Sequence, residues 1–425
     1  MSEAAVPSLA RPRPGSLARW LLPLAERRLK RRLQDLRGAG LTIEEGGSAH
    51  FFGDRDGLRA KVTVKSWRFW TDILLGGTLG AAESYILGRW QADDLTAVCR
   101  IFARNLDLSD GMERGWAAGA SIAAKCLHAL NRNTRRGVAS NIKAHYDLGN
   151  DFFRLVLDET MSYSCAMFRA PDEPLEAAST RKMDLACRKL DLKPTDRLLE
   201  IGTGWGSLAI HAARQYGCSV VTTTISEQQH LLARKRVMDA ALGDRIDVRR
   251  QDYRDLTGRF DKIVSIEMIE AVGHEFIPEY FALCNRLLKG DGLMLLQGIL
   301  MAEHRYESYR RSADFIQRYV FPGSCLTSMA TIAGALARTS DMRMIHLEDL
   351  APHYGETLRR WKASLRAHEP EIRALGYPPG FIRLWEFYLC YCEAGFEERL
   401  IGNVQLLLAK PRNRRAPIRA DTGPA

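Results

Sequence analysis

The feature that most constrains this chain is a short apolar segment followed by three glycines at alternate positions. Leu198, Leu199 and Ile201 predict a buried strand. A stretch with apolar residues at helical spacing, 208–213, comes after the glycines. Glycines in such a turn let the backbone approach a ligand closely, and the first N–H groups of the helix point toward it. The pattern predicts a strand, a ligand-contacting turn and a helix, with the turn at Gly202, Gly204 and Gly206.

The residue that leads into this turn indicates which ligand it holds. A dinucleotide-binding loop spaces its glycines G-x-G-x-x-G and seats a pyrophosphate on the helix N-terminus. Here the pattern is E-x-G-x-G-x-G, and its first residue is Glu200. Because this carboxylate would repel a phosphate, it favours a cationic, amine-bearing ligand, most simply S-adenosylmethionine. The alternative is a glycine-rich turn in some other α/β protein.

Strand and helix patterns alternate through the chain after the turn, which implies a parallel, doubly wound sheet with the ligand at the carboxyl ends of its strands. We predict the α/β fold of a class I methyltransferase, with a doubly wound seven-stranded sheet. Helical insertions at 300–330 and 351–395 are too long for ordinary connections and are predicted to cover a substrate as lids. The further strands are predicted at 218–224, 245–250, 261–267, 292–299, 341–347 and 401–409.

The chain of 425 residues is longer than one core usually supports, so two domains are expected. Period-2 alternation at 60–64 and a cluster of aromatic residues predict a small α+β domain before the methyltransferase sheet. Its aromatic side chains could form either a core or an acyl-chain groove. The predicted division is an N-terminal lipid- or membrane-associating domain at 1–137, a catalytic domain at 138–410 and a disordered basic tail at 411–425.

The net charge of +10 lies at the two ends of the chain. Residues 1–41 carry a net +6 and residues 410–425 a net +4, so the remainder is neutral. Residues 17–36 have the pattern of a basic amphipathic helix, which can lie on an anionic membrane or pack onto a domain core. The basic ends suggest attraction to anionic headgroups or to nucleic acid. Solvated arginines that bind nothing are the alternative.

The nine cysteines are odd in number and lack metal-ligand spacing, so we expect reduced thiols and no metal site. No run of 18 apolar residues and no secretory h-region is present. We therefore expect a cytoplasmic protein that associates peripherally with the inner face of the membrane.

Four sets of segments together resemble one family, the cyclopropane-fatty-acyl-phospholipid synthases with their mycolic acid cyclopropane synthase relatives. Each set alone is weakly specific, but their order and spacing match the family from about residue 40 to residue 409. They are HYDLGNDFF (145–153) with MSYSCAMF (161–168), LEIGTGWGSL (199–208), TISEQQ (224–229) with QDYRDL (251–256), and EMIEAVG (267–273) with YVFPGSCL (319–326).

The resemblance implies a set of residues around S-adenosylmethionine. The second strand ends in three threonines and lacks the acid that commonly holds a cofactor ribose, so threonine hydroxyls and a glutamine should supply those hydrogen bonds. The implied cofactor-binding residues are Tyr163, Ser164, Glu200, Gly202, Gly204, Gly206, Thr224, Gln229, Gln251 and Asp252.

The resemblance also implies a reaction. The π electrons of a cis double bond in a phospholipid acyl chain attack the sulfonium methyl, and the carbocation loses a proton as a cyclopropane ring closes. The site must be dry and must hold a base that water cannot replace. In the family this base is a bound bicarbonate. Its implied cradle is Cys165, Glu270, Gln297, Ile299 and Tyr354, with Glu270 orienting the ion and Tyr354 donating a hydrogen bond to it.

Three positions depart from the family pattern or from its expected chemistry. Ala271 and Gln297 stand where bacterial synthases commonly have histidine. The Gln297 amide can donate a hydrogen bond but cannot become cationic or move a proton. Cys392 aligns with the family's active-site cysteine. Because methylation of an alkene needs no thiol nucleophile, we interpret Cys392 as structural or as lining the acyl channel.

Several competing functions remain open at the level of sequence. The same substrate could give a methyl-branched, methylene or furan-precursor acyl chain. A nucleic-acid methyltransferase is disfavoured because the fourth strand ends in IEMIEAVG, without an N/D-P-P-Y signature or a Pro-Cys nucleophile. A lipid-binding protein with a dead catalytic domain is disfavoured by the intact glycines. We expect unsaturated phospholipids of an anionic membrane as partners and no nucleic acid; a homodimer is left open.

Overall fold

The computed structural model describes residues 16–108, 149–312 and 314–418, with side chains from residue 22 onward. The chain divides into two compact units. The first unit combines Met1–Arg132 with Arg311–Pro322 and Leu358–Leu400, and the second holds the remaining segments. The helices at 311–322 and 358–400 thus group with the N-terminal residues, which differs from the predicted continuous domain 138–410. The predicted boundary itself lies outside the described residues.

The N-terminal part of the first unit is an α+β structure, as predicted. Its four-stranded sheet has the order β2-β1-β3-β4, in which only β1 and β3 run parallel. Its elements are α1 (Ser16–Leu33), β1 (Ala39–Glu45), β2 (Ser48–Gly53), β3 (Leu58–Val64), α2 (Arg68–Ile86), β4 (Trp90–Ala92) and α3 (Leu95–Arg104).

The aromatic side chains of this unit mostly form its core. Phe52, Phe69, Trp70 and Trp90 are buried, whereas Phe51 is 41% exposed. The rings of Phe69 and Trp70 meet edge to face at 4.9 Å between centroids, an arrangement that stabilises aromatic pairs beyond their burial. Of the two predicted uses of these residues, the core is the one observed for these four.

Helix α1 carries a buried apolar stripe and an exposed basic face. Leu29 and Leu33 lie on the buried stripe, while Arg27, Arg28 and Arg31 are exposed. The apolar stripe packs within the first unit, because α1 and α2 contact each other. Leu29 and Leu33 are therefore engaged in the domain core, whereas the three arginines face outward from it.

The second unit is built on a doubly wound sheet. Each β-α-β crossover brings the carboxyl ends of its strands to one edge. The elements as far as residue 301 are α4 (Asn150–Val156), α5 (Leu175–Lys189), β5 (Arg197–Ile201), α6 (Ser207–Tyr216), β6 (Ser219–Thr224), α7 (Glu227–Asp239), β7 (Ile246–Arg250), β8 (Phe260–Ile266), α8 (Ile277–Leu287) and β9 (Leu288–Met301).

The rest of the chain supplies two more strands and several helices. The sheet order is β10-β11-β9-β8-β5-β6-β7, with β11 antiparallel to both of its neighbours and the other pairs parallel. The predicted seven-stranded class I methyltransferase fold is confirmed. The remaining elements are α9 (Glu303–Tyr309), α10 (Phe315–Tyr319), α11 (Met329–Thr339), β10 (Arg343–Asp349), α12 (Ala351–Ala367), α13 (Glu369–Ala374), α14 (Phe381–Glu397) and β11 (Ile401–Ala409).

Two further observations concern the predicted tail and the membrane. The start of the tail is hydrogen-bonded, in contrast to the predicted disorder. Arg412 N donates to Gly290 O at 3.2 Å, and the Arg415 guanidinium donates to Arg188 O at 2.9 Å. Within the described ranges, every helix is too short or too polar to cross a bilayer.

Candidate active site

The predicted glycine turn connects β5 to α6 and has the backbone that only glycine adopts easily. Gly202, Gly204 and Gly206 have φ values of 99°, 51° and 90°, all in the region that L side chains rarely occupy. A Cβ at position 204 would project into open space. One at position 202 would come within 3.3 Å of Met268. The turn is thus packed on one side and open on the other, as a close ligand contact requires.

Glu200 lies buried at the entrance to this turn, with 3% of its surface exposed. Its Oε2 accepts a hydrogen bond from the Thr222 hydroxyl at 2.5 Å. Burial raises the pKa of Glu200 to about 8, although the Thr222 hydrogen bond and the charge of Lys182 act in the opposite direction. A bound cation would favour the ionised carboxylate. The position therefore suits the cationic ligand predicted from the sequence.

The candidate cofactor residues after β6 and β7 lie at the carboxyl ends of these strands. The Thr224 hydroxyl donates to Gln229 Oε1 at 2.8 Å. Gln251 Nε2 donates to the Asp255 carbonyl at 2.9 Å. Asp252 Oδ2 accepts from the Arg254 guanidinium at 2.6 Å. These hydrogen bonds fix the orientation of the side chains, and their role toward the cofactor stays a prediction.

The segment between α4 and α5 brings Tyr163, Ser164 and Cys165 to the same unit. The Tyr163 ring lies 5.4 Å from that of Phe153. Ser164 Oγ accepts a hydrogen bond from Lys182 Nζ at 2.7 Å. Lys182 is 2% exposed, and burial lowers its pKa. A buried ammonium group thus fixes the hydroxyl of a predicted cofactor residue.

Glu267 is the centre of the polar cluster at the end of β8. Its Oε1 accepts from the Cys165 backbone N–H at 3.0 Å, from Gln297 Nε2 at 2.8 Å and from Asn403 Nδ2 at 2.7 Å. Its Oε2 accepts from the Tyr354 hydroxyl at 2.7 Å. Four donors from distant parts of the sequence therefore converge on one carboxylate.

The residues predicted to cradle bicarbonate do not fit that ion. Cys165, Gln297 and Tyr354 direct the hydrogen bonds described above to Glu267. The Ile299 N–H donates to Glu270 Oε1 at 2.5 Å. The donors of the predicted cradle thus already serve two protein carboxyl groups, so the arrangement that the resemblance implied around bicarbonate stays a prediction that these contacts do not support.

Glu270 stands beside this cluster with one oxygen unsatisfied. Its Oε2 is buried without a hydrogen-bond partner among the described residues. Burial, and next the negative charge of Glu267, raise the pKa of Glu270 to about 8. The carboxyl therefore holds its proton at neutral pH. Glu270 is predominantly a neutral acid, which differs from the anion expected to orient a bicarbonate.

A buried chain of amides fixes the orientation of Gln297. The Lys189 ammonium, which can only donate, bonds to Gln405 Oε1. Gln405 Nε2 in turn donates to Gln297 Oε1 at 2.9 Å. This leaves the Gln297 NH₂ group to face Glu267. Both amides are fully buried, so Lys189 determines which end of Gln297 the carboxylate meets.

The two cysteines among the predicted catalytic residues have unreactive thiols. Burial raises the pKa of Cys165 well above its ordinary value, and the negative charge of Glu267 adds to this effect. Burial likewise raises the pKa of the Cys392 thiol. Cys392 lies on α14 in the first unit, whereas the other predicted site residues lie in the second. A protonated thiol is not a nucleophile, which agrees with the structural interpretation of Cys392.

Three residues of the site were missed by the sequence analysis: Glu267, Asn403 and Lys182. Glu267 is the first residue of EMIEAVG and comes directly after a buried strand. Its position at the ligand-binding edge of the sheet could therefore have been predicted. Asn403 is a fully buried polar residue near the start of β11, a strand whose other buried polar residue is Gln405. Lys182 lies on α5, where a lone lysine gives no sequence signal of burial.

Comparison with known proteins identifies the family. The family model described as mycolic acid cyclopropane synthetase matches residues 133–406. The tuberculostearic acid methyltransferase of Mycobacterium tuberculosis is 38% identical over 341 residues, which cover 79% of each chain. The cyclopropane-fatty-acyl-phospholipid synthase of Escherichia coli K12 is 36% identical over 356 residues, 83% of this chain and 88% of that protein.

A solved structure agrees with these matches. The mycolic acid cyclopropane synthase CmaA1, complexed with SAH and CTAB, superposes with a TM-score of 0.61 at 33% identity, covering 64% of this chain and 98% of its own. The family match covers more than half of the chain and includes the glycine turn and the Glu267 cluster. This chain therefore belongs to the cyclopropane-fatty-acyl-phospholipid and mycolic acid cyclopropane synthase family of one-carbon transferases.

Proposed function

We propose that this protein transfers a one-carbon group from S-adenosylmethionine to the cis double bond of an unsaturated phospholipid acyl chain, forming a cyclopropane. The observation that carries the proposal is the placement of the half-buried, hydrogen-bonded Glu267 carboxylate at the end of β8, next to β5 and its open glycine turn. Ligands bind at this edge of a doubly wound sheet. The relatives described above act on lipids by their names, which supports the same substrate class.

The reaction requires a donor methyl held close to a weak nucleophile. S-adenosylmethionine supplies an electrophilic methyl group when bound. The glycine turn offers a close approach to the backbone, and Glu200 offers a carboxylate that a cation would ionise. Holding the two reactants in line can supply about 7–11 kcal/mol of the barrier. The protein's task is therefore positioning, exclusion of water and removal of one proton.

A second product class has specific support. The first relative described is named for tuberculostearic acid, and that protein shares 38% identity with this chain. Methylation of the same double bond with a different fate of the cation would give a methyl-branched, methylene or furan-precursor chain. Which product forms depends on which C–H bond faces the base. We keep cyclopropane as the first proposal and a methylated acyl chain as the alternative.

The exposed arginines of α1 support recruitment to an anionic membrane. Arg27, Arg28 and Arg31 lie on one exposed face, and each basic residue near an anionic surface contributes about 1 kcal/mol. The substrate proposed here is itself a membrane lipid. The protein should therefore act as a peripheral enzyme that reaches the acyl chain from the headgroup side.

The function is tested by analysing the membrane fatty acids of bacterial cells that express the protein and that lack cyclopropane and methyl-branched acyl chains. We expect acyl chains heavier than their unsaturated precursors by one CH₂ group and without the original double bond. Expression of Gly204→Val provides the matched control, because it should keep the sheet but lose the cofactor. Unchanged fatty acids, with folded wild-type protein and ample donor, would contradict the proposal.

A further inference from the structure

We propose that the Glu267 carboxylate takes the place of bicarbonate in this enzyme and accepts the proton that the substrate loses. The inference rests on the proposed function, because it assigns the base of that reaction. It makes Glu267 a catalytic residue and makes turnover independent of bicarbonate. The observations that carry it are the convergence of the predicted cradle donors on Glu267, its backbone conformation and the occupancy of its two oxygens.

The backbone of Glu267 is in a conformation that glutamate rarely adopts. Its φ is 49°, in the left-handed region, and its N–H donates to the Gln297 carbonyl at 2.8 Å. Such a conformation is unfavourable for a residue with a Cβ and persists where the surrounding structure enforces it. It directs the carboxylate into the donor cluster immediately after β8. The strain therefore coincides with the predicted reaction centre.

The donors around Glu267 are the ones expected to bind an oxyanion. The Cys165 N–H, the Gln297 amide and the Tyr354 hydroxyl are all within 3.0 Å of its two oxygens. These donors are uncharged, so they hold the carboxylate in place while its negative charge remains to attract a cation. Lys189 orients one of them through Gln405, as shown above. The protein thus presents a fixed oxyanion at the place where the family binds a separate one.

The two oxygens of Glu267 are not equivalent. Among the described residues, Oε1 accepts three hydrogen bonds, whereas Oε2 accepts one, from Tyr354. A carboxylate oxygen has two lone pairs, so Oε2 keeps the capacity to accept a proton. The neighbouring Glu270 carries its own proton at neutral pH because burial and the charge of Glu267 raise its pKa to about 8. Glu267 Oε2 is therefore the acceptor atom.

The step balances without another reactant. After the alkene has taken the methyl group, a C–H bond of that new carbon breaks, and its electron pair forms the C–C bond that closes the ring. The proton moves to Glu267 Oε2 and leaves to solvent after the product has departed. A carbocation is a very strong acid, so an ordinary carboxylate is a sufficient base when it is positioned.

The test uses the purified full chain, S-adenosylmethionine and unsaturated phospholipid vesicles. Bicarbonate is removed by degassing under nitrogen and then restored. We expect the wild-type initial rate to change by less than about twofold, because the base belongs to the protein. A rate that falls about tenfold or more on removal and returns on addition would overturn the inference while leaving the proposed function intact. Failure to form product in both conditions would instead contradict the proposed function.

Two substitutions at the same position sharpen the test. Glu267→Gln keeps the volume but removes the base, so turnover should fall by roughly 10²–10⁴, the span of a positioned acid–base group. Glu267→Gly suits the positive φ and opens the cradle, so added bicarbonate should restore part of its activity. Cofactor affinity, measured by calorimetry, should stay within about threefold in both variants.

Asp191 offers a matched control, since it also has a positive φ, of 51°, is exposed and precedes the amino end of β5, whereas the site follows the carboxyl ends of the strands. Asp191→Gly should not change turnover. Normal turnover in Glu267→Gln would refute the assignment. A Glu267→Gly enzyme that is inactive at every bicarbonate concentration would also refute it, provided that the variant still binds the cofactor. If neither variant folds, the bicarbonate response of the wild-type enzyme decides the question.

Discussion

Replacing Glu270 with glutamine tests the electrostatics of the carboxylate pair through stability. Raising the pKa of the Glu270 carboxyl from 4.5 to about 8 makes its ionised form about 5 kcal/mol less favourable in the folded protein. Because the folded pKa lies above the unfolded one, the stabilisation is complete below about pH 4.5 and is lost as the pH rises through about 8. Glutamine does not titrate, so the Glu270→Gln protein should not lose this stability as the pH rises.

The expected result is a difference in pH dependence between the two proteins. At pH 5 the wild type and Glu270→Gln should unfold at similar urea concentrations. At pH 8.5 the variant should be more stable by up to about 5 kcal/mol. Glu200 has a pKa raised to the same value, so both proteins keep its contribution and the comparison isolates Glu270. Urea midpoints that follow parallel curves from pH 5 to 8.5 would refute the reasoning.

Glu270→Gln also distinguishes two possible roles of Glu270 in the reaction, that of a neutral acid and that of an anion that orients bicarbonate. If Glu270 is a neutral acid that accepts from the Ile299 N–H, its amide isostere should retain turnover within about tenfold at pH 7. If Glu270 orients a bicarbonate as an anion, turnover should instead fall by roughly 10²–10⁴. The measurement is the initial rate of product formation on unsaturated phospholipid vesicles.

The remaining predictions concern the cofactor, the cluster and the membrane. Gly204→Val should abolish binding of S-adenosylmethionine in calorimetry and keep the circular dichroism of the fold, because its side chain would enter the open side of the turn; unchanged affinity would contradict this. Tyr354→Phe removes one hydrogen bond to a carboxylate, about 1.5–3 kcal/mol, so turnover should fall about tenfold to a hundredfold with cofactor affinity unchanged. Reversing Arg27, Arg28 and Arg31 to glutamate should weaken binding to anionic vesicles in flotation assays and leave binding to neutral vesicles unchanged; equal binding by both proteins would show that these arginines only face solvent.

The sequence predicts those parts of the fold that depend on patterns among neighbouring residues. The strand over 197–201 is an apolar run, and the turn after it has glycines at the three positions where φ is positive. Both elements could therefore be predicted from a few adjacent residues. The alternation of strands and helices was enough for the parallel sheet. The last two strands, β10 and β11, were also predicted, because β11 is a mostly apolar segment that only Asn403 and Gln405 interrupt with uncharged polar side chains.

The arrangement of the polar cluster could not be read in this way. Glu267 meets donors from residues 165, 297, 354 and 403, which only the tertiary fold brings together. The resemblance assigned three of these positions to bicarbonate, since a family pattern lists residues without showing which partner each one meets. The positive φ of Glu267 was likewise invisible in the sequence, because glutamate gives no signal for it.

For the N-terminal helix, too, the sequence does not determine what the apolar face contacts. The amphipathic pattern of 17–36 predicted either a membrane helix or a packed one, and periodicity is identical in the two cases. The structure places Leu29 and Leu33 in the core of the first unit. The exposed positive charge of Arg27, Arg28 and Arg31 was already indicated by the arginine content of the segment.

The most direct test of the central claim follows the hydrogens of the transferred methyl group. The wild-type enzyme is incubated with S-adenosylmethionine carrying a trideuterated methyl and with unsaturated phospholipid vesicles, and the acyl chains are analysed by mass spectrometry. Ring closure with loss of one deuteron from the transferred carbon to Glu267 predicts a saturated product that keeps two of the three deuterium atoms in a cyclopropane. A product that keeps all three as a methyl branch, or an acyl chain without deuterium, would contradict the account.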